Sequence, residues 1–259
     1  VMENVLKGKT VLQLIICGLV AEVLWIVLFV SQTLYPNFRG ERFLPQDPLN
    51  GVLAIVLCAQ VLLYIIVSRI GVTAKDRFII IIFSVLFAGT LIGTLFPITS
   101  TDIYGYISYT RSVTKYHDNP YYITHNNYPD DPLFPHLSKL WLDLENPYGP
   151  FLTTLYLIPG FAARDTFVFQ VVFFKLLPTF FFFGAAYCMF ALSQLLFPTR
   201  AYRVLLLFLW NPLILFEIVQ NAHADIIMAF FLALSFLFVA KKESLKGWAA
   251  FVSSVLIKY

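Results

Sequence analysis

The chain has 259 residues, of which 59% are hydrophobic, 17% aromatic and 13% charged, with a net charge of +3. Soluble domains carry about a quarter charged residues and roughly 45–50% apolar ones, so this composition excludes an ordinary soluble globular domain. Cys17, Cys58 and Cys188 all fall inside apolar runs and read as small buried hydrophobes, which excludes a disulfide framework and a cysteine-based metal site.

The apolar residues come in long runs. Val11–Leu34 is too long for a signal-peptide core and has no small-residue cleavage site after it, so it predicts a retained first helix. Leu49–Val67, Phe78–Phe96 and Val168–Leu196 follow, each long enough, or nearly so, to cross a hydrocarbon core of about 30 Å. Val204–Leu215 and Ile226–Ala240 are shorter and need their flanks to span, and Gly247–Tyr259 begins a further apolar stretch that stops part-way, as expected of a C-terminally incomplete chain. The expected fold is all-α, a polytopic transmembrane helical bundle with a long outer loop. It divides into N-terminal spans (1–96), the loop (97–167) and the later spans (168–259).

Positive charges orient these spans. Lys7 and Lys9 place the N-terminus in the cytoplasm, Tyr35–Pro48 goes outside, and Arg69, Lys75 and Arg77 lie inside. Phe151–Ala163 is too short to cross comfortably and is flanked by Gly149-Pro150 and Arg164-Asp165. Read as a re-entrant or interfacial segment, it leaves Arg200, Arg203, Lys241, Lys242 and Lys246 cytoplasmic and Glu217–Asp225 outside. The protein is then a multi-pass plasma-membrane protein.

Pro97–Phe167 is the one long non-spanning region. Ile103, Tyr106, Tyr109, Val113 and Tyr116 predict a helix over Ile103–Tyr116, with Asp102 as its N-cap at the membrane surface. Asn119-Pro120-Tyr121-Tyr122 marks a turn, and Leu133, Leu137, Leu140, Trp141 and Leu144 predict a second, interfacial helix ended by Asn146-Pro147-Tyr148-Gly149-Pro150. Asp130 and Asp131 read as solvated turn residues. In the later spans, Pro212 is expected to kink a helix, and Asn221-Ala222-His223-Ala224-Asp225 faces the same side as Asp102. His223 and Asp225 offer too few ligands for a zinc site. Lys175, about two turns below the outer surface, reads as a snorkelling cation or an anionic-headgroup ligand, and Glu22 as the partner of a cation on another helix.

Five of these pieces in this order resemble the GT-C superfamily of membrane glycosyltransferases, and most of all its polyprenol-phosphomannose-dependent alpha-mannosyltransferases. They are Ser100-Thr101-Asp102-Ile103-Tyr104-Gly105-Tyr106, Asn119-Pro120-Tyr121, Pro147-Tyr148-Gly149-Pro150, Asn211-Pro212-Leu213 and Asn221-Ala222-His223-Ala224-Asp225, followed by Lys258. The family usually reads His-Asn-Asp where this chain has His223-Ala224-Asp225. The resemblance implies a GT-C-like fold and inverting transfer of a hexose, mannose by preference. The donor would be polyprenyl-phosphate-linked sugar, and the acceptor a hydroxyl of a glycan or glycolipid on the outer face. Asp102 is the catalytic base it implies. Tyr104, Tyr106, Asn119, Tyr121, Tyr148, Lys175, Asn221, His223 and Asp225 are the implied substrate-binding residues, with Lys175, Arg111 and Lys115 as candidate phosphate cations. No cofactor, resident metal or nucleic acid is expected; a carboxylate pair could hold a divalent ion, but the mannosyl branch is metal-independent. Two other readings compete. A lipid or solute transporter or flippase would show inverted repeats and mid-membrane polar breaks, and a catalytically inactive envelope-assembly subunit would not bring Asp102 and Asp225 into one pocket.

Overall fold

The computed structural model describes residues 2–34 and 48–258, and all regular structure among them is helical. The connection expected over Tyr35–Pro48 lies, as far as residue 47, outside the described residues. In chain order the helices are α1 (Met2–Leu34), α2 (Pro48–Val67), α3 (Arg77–Gly93), α4 (Asp102–Thr114), α5 (Pro150–Ala163), α6 (Phe167–Leu196), α7 (Ala201–Leu209), α8 (Pro212–Ile214, continued by a π-helical turn over Leu215–Gln220), α9 (Asp225–Ala240) and α10 (Ser244–Val255).

Thr10–Leu34, Leu49–Val67, Ala74–Gly93 and Phe167–Leu196 are each long and apolar enough to cross a membrane, and the bent pair Pro198–Leu209 with Pro212–Gln220 makes a fifth candidate. Their outward faces are apolar: Leu62 is 64% exposed, and Phe78 and Phe180 are each 70% exposed. Water would penalise such a surface and lipid does not. The protein is a multi-pass membrane protein.

Inside the bundle, α3 packs against α1 and α7. Trp210 meets Phe83 and Phe87 edge-on, at ring separations of 5.7 and 5.4 Å, and donates its indole N–H to Ile80 O at 3.1 Å. The kink expected at Pro212 is a break with a restart. α7 stops at Leu209, and the Asn211 side chain accepts the Leu213 and Ile214 N–H groups at 3.0 and 3.2 Å. Asn211 thereby caps a new helix with Pro212 in its first turn, bent by 41° from the old one.

The two polar residues of the spans have other partners than expected. Glu22 takes a hydrogen bond from the Thr90 hydroxyl on α3, not from a cation. Lys175 is fully buried and donates to Leu91 O and Thr94 O at the end of α3. Its ammonium serves carbonyls that a helix C-terminus leaves without donors, so it neither snorkels nor reaches a headgroup.

The polar motifs gather at one end of the bundle. Ile98 N–H and Thr99 N–H donate to Asn221 Oδ1 at 3.1 and 3.2 Å, and Gln220 donates to Phe96 O at 2.9 Å. The opposite end is basic, with Arg203 donating to Ser68 O at 2.8 Å beside Arg69. Both ends of α5 stay with the motif-bearing end. Gly149 N–H donates to Ile257 O at 3.0 Å ahead of its start, and Asp165 pairs with Arg111 of α4 at 3.0 Å just after its finish. α4 and α5 touch where Gly160 meets the Thr110 methyl, with no room for a Cβ. Gly160→Ala should force them apart at a cost of about 1–3 kcal/mol, seen as a lowered unfolding temperature in detergent. An unchanged temperature would mean that Thr110 gives way freely.

The loop between α4 and α5 departs from expectation twice. The predicted helix over Leu133–Leu144 is absent: only Phe134–His136 forms a 3-10 turn, and Leu137 is extended. Ser138 Oγ accepts the Leu140 N–H at 3.4 Å, a local bond that competes with helix. Leu133 and Leu137 are buried, whereas Leu140 is 85% exposed. Asp131 is no solvated turn residue. It is buried and accepts from Arg111 Nη2 at 2.7 Å, Arg111 Nε at 3.1 Å, Tyr116 Oη at 2.5 Å and Lys115 Nζ at 3.3 Å. Burial works against its charge, but the Tyr116 and Arg111 hydrogen bonds win and hold its pKa down at about 2.

Candidate active site

Asp102 opens α4, yet it is not a cap: Thr101 occupies the N-cap position, and no side-chain cap bond forms there. Its carboxylate is 36% exposed and stands 3.8 Å from His223 Nε2. The other ring nitrogen, Nδ1, lies 3.1 Å from Glu217 Oε2. A carboxylate, an imidazole and a second carboxylate thus stand in a row, with the Asp102 end outside hydrogen-bond range and free to act.

The local backbone explains how this row is built. Glu217 sits in the π-helical turn, a geometry common at functional sites. Asn221 Nδ2 donates to Glu217 Oε2 at 3.1 Å and to Thr99 Oγ1 at 2.6 Å, locking the turn to the segment that leads into α4. Ala222 then takes a left-handed conformation, with φ of 61°, while fully buried. That conformation is unfavourable for a residue with a Cβ, and it turns His223 towards Asp102 while Asn221 points inward.

Burial disfavours charge on His223. The Glu217 hydrogen bond and the Asp102, Glu217 and Asp225 carboxylates outweigh it and raise its pKa above the ordinary imidazole value. Asp225 begins α9 and likewise makes no cap bond; it pairs with Lys258 Nζ at 2.8 Å, both side chains being about half exposed. Lys258 arrives there because the turn after α10 bonds to the segment that opens α5, through Gly149 N–H to Ile257 O and Phe151 N–H to Leu256 O at 3.3 Å. Tyr148 completes the ring: burial, then the Asp102 carboxylate, push its hydroxyl up to about 12, with Asp225 adding to the effect. Asp102, Tyr148, His223, Asp225 and Lys258 therefore share one electrostatic site. Beside it opens a shallow cleft lined by Asp102, Trp141 and Tyr148 among others.

The other sequence-derived site residues hold this site without facing it. Tyr104 is buried against His136 and Phe167. Tyr106 is buried between Tyr148 and Tyr156, each 5.0 Å away. Asn119 Oδ1 accepts the Tyr121 N–H at 3.0 Å, and the Tyr121 hydroxyl reaches Tyr148 O at 3.0 Å and Thr153 Oγ1 at 2.9 Å. Asn-Pro-Tyr is thus a strut under the Pro-Tyr-Gly-Pro turn. Asn221 is the connector already described, and Lys175 of α6 is sequestered against the end of α3. Arg111 and Lys115 are committed to Asp131, so none of the three candidate phosphate cations stands beside Asp102, whereas Lys258 and His223 do belong to that site. Glu217 is the residue that sequence reasoning passed over; its spacing of four from Asn221 is an ordinary helical one, but its separation of six from His223 brings the two together only through the π-turn and the left-handed Ala222. Among the described residues, no group of three His, Cys, Asp or Glu side chains is arranged to hold a metal ion.

No curated protein and no solved structure matches the chain at a significant level. A family model does, over residues 49–259: the MptA_B family, described as alpha-(1->6)-mannopyranosyltransferase, N-terminal domain. The match covers most of the chain and takes in α2 and α3, upstream of the first motif. The resemblance carried by five short motifs thus holds over a far longer stretch, and this membrane protein belongs to the alpha-(1->6)-mannopyranosyltransferase family.

Proposed function

We propose that the protein transfers a mannosyl residue from a polyprenyl-phosphate donor to a hydroxyl of a glycan or glycolipid acceptor on the outer face of the plasma membrane, with inversion. The observation that carries this reading is the meeting of Asp102, His223, Asp225 and Lys258 at the end of the bundle opposite its basic loops. By the positive-inside rule the basic end is cytoplasmic, and the motif end then faces out.

In the reaction, the acceptor oxygen attacks the anomeric carbon as its proton passes to Asp102. The bond from that carbon to the phosphate oxygen breaks, and polyprenyl phosphate leaves with the electron pair. Phosphate is a good leaving group, so a single base suffices and no covalent glycosyl intermediate is needed; one displacement inverts the centre. An α product then calls for a β-linked donor. Lys258 and a positively charged His223 supply the charge that stabilises the departing phosphate. Glu217, hydrogen-bonded to Nδ1, orients the ring and favours its cationic form. Asp225 holds the Lys258 ammonium in place.

The test is to incubate the full-length protein in membranes with polyprenyl-phosphate mannose and a mannan-type acceptor, and to analyse the glycan formed. New α-(1→6)-linked mannose is the expected product. Transfer from a nucleotide sugar, with none from the lipid-linked donor, would refute the donor assignment.

A further inference from the structure

The cleft beside Asp102 has a chemistry of its own. Among its walls are Gly105, His125, Ser138, Trp141 and Tyr148, and no lysine or arginine lines it. His223, Asp225 and Lys258 are not part of it either, so the cationic half of the site and this cleft meet only at Asp102 and Tyr148. It encloses only about 20 Å³, room for a single water molecule, so a larger ligand lies across its open mouth.

His125 is the buried polar group in that wall. It is 2% exposed, its Nδ1 is 2.7 Å from Ser108 Oγ, and its Nε2 makes no hydrogen bond. Burial lowers its pKa to about 4, so the ring is neutral at physiological pH. A neutral imidazole enclosed in this way adds no charge to the cleft wall. Trp141 leaves 45% of its surface open, presenting an indole to the cleft. An apolar ring face with a polar rim is what a pyranose offers, and aromatic side chains match it. Gly105 lies one turn after Asp102, on the same face of α4, and nothing stands within 4 Å of where its Cβ would be. The absent side chain keeps the floor of the cleft open next to the carboxylate.

We propose that this cleft is the subsite for the acceptor sugar: an uncharged hexopyranose lies on Trp141 and extends its exocyclic primary hydroxyl to Asp102. The assignment rests on the mannosyltransferase reading and adds to it where the acceptor binds. The lipid-linked donor then comes to Asp102 from the Lys258 side, where the positive charge is.

The experiment uses the full-length protein in nanodiscs, polyprenyl-phosphate mannose as donor and α-(1→6)-mannobiose as acceptor, with KM measured for each. Trp141→Ala, at a half-exposed position, should raise the acceptor KM roughly tenfold and leave the donor KM within about twofold. A raised donor KM with an unmoved acceptor KM in Trp141→Ala overturns the proposal while leaving mannosyl transfer standing. If the wild-type protein transfers no mannose at all, the functional reading has failed, and direct titration with mannobiose alone decides about the cleft. Binding to the wild type that is weakened in Trp141→Ala supports a sugar subsite, whereas equal binding, or none, refutes it.

Discussion

Asp102→Asn should lower the mannosyl-transfer rate by about 10²–10⁴-fold, the usual contribution of a positioned proton acceptor, while the protein inserts and folds as before. The amide keeps the shape of the side chain and cannot take the acceptor proton. Because Asp102 makes no cap bond and stays outside hydrogen-bond range of His223, little structure depends on its charge. Glu217→Gln should cost much less, since it acts only through the His223 ring. A radiolabelled lipid-linked donor, with the variants matched for amount in the membrane, measures both. Undiminished turnover in Asp102→Asn would remove this residue from the role of base and with it the mechanism proposed above.

The second large effect is on stability. Asp131→Ala should destabilise the loop between α4 and α5 by about 3–5 kcal/mol, as when one partner of a buried ion pair is deleted. Arg111, whose side chain is 6% exposed, would keep only Asp165, which is 72% exposed and screened by water. Limited proteolysis between α4 and α5 is the direct measurement, with cleavage expected at lower temperature in the variant. The same group makes the loop acid-sensitive. The folded pKa of Asp131, about 2, lies below the ordinary carboxylate value of 3.8. Its stabilisation is therefore complete above the unfolded value and is lost as pH falls from there towards 2. Cleavage that is unchanged both in Asp131→Ala and on acidification would show that the pair contributes nothing.

The helices that cross the bilayer could be read from the chain because each needs about twenty apolar residues in a row, a one-dimensional signal. α4 was legible for a similar reason, an apolar period ahead of a polar break. The same reasoning failed over Leu133–Leu144, where the period is present but only Leu133 and Leu137 find core to bury against, and a stretch of that length is not helical without such support. Lys175, Arg111 and Lys115 show the limit for charges. As sequence they are three cations near the outer surface, and only the packing reveals that carbonyls of α3 take the first and Asp131 the other two.

By itself, then, the sequence determined the membrane class, the spans, the order of the motifs and the place of Asp102 as a carboxylate just after the third span, since each of these depends on residues close together in the chain. Tertiary structure decided that Glu217 stands behind His223, that Lys258 is the cation beside Asp225, and that an uncharged cleft opens next to Asp102. Those facts join residues tens of positions apart, or hang on a π-turn and a left-handed Ala222. No local periodicity encodes them, because they arise only when the helix ends are packed against one another.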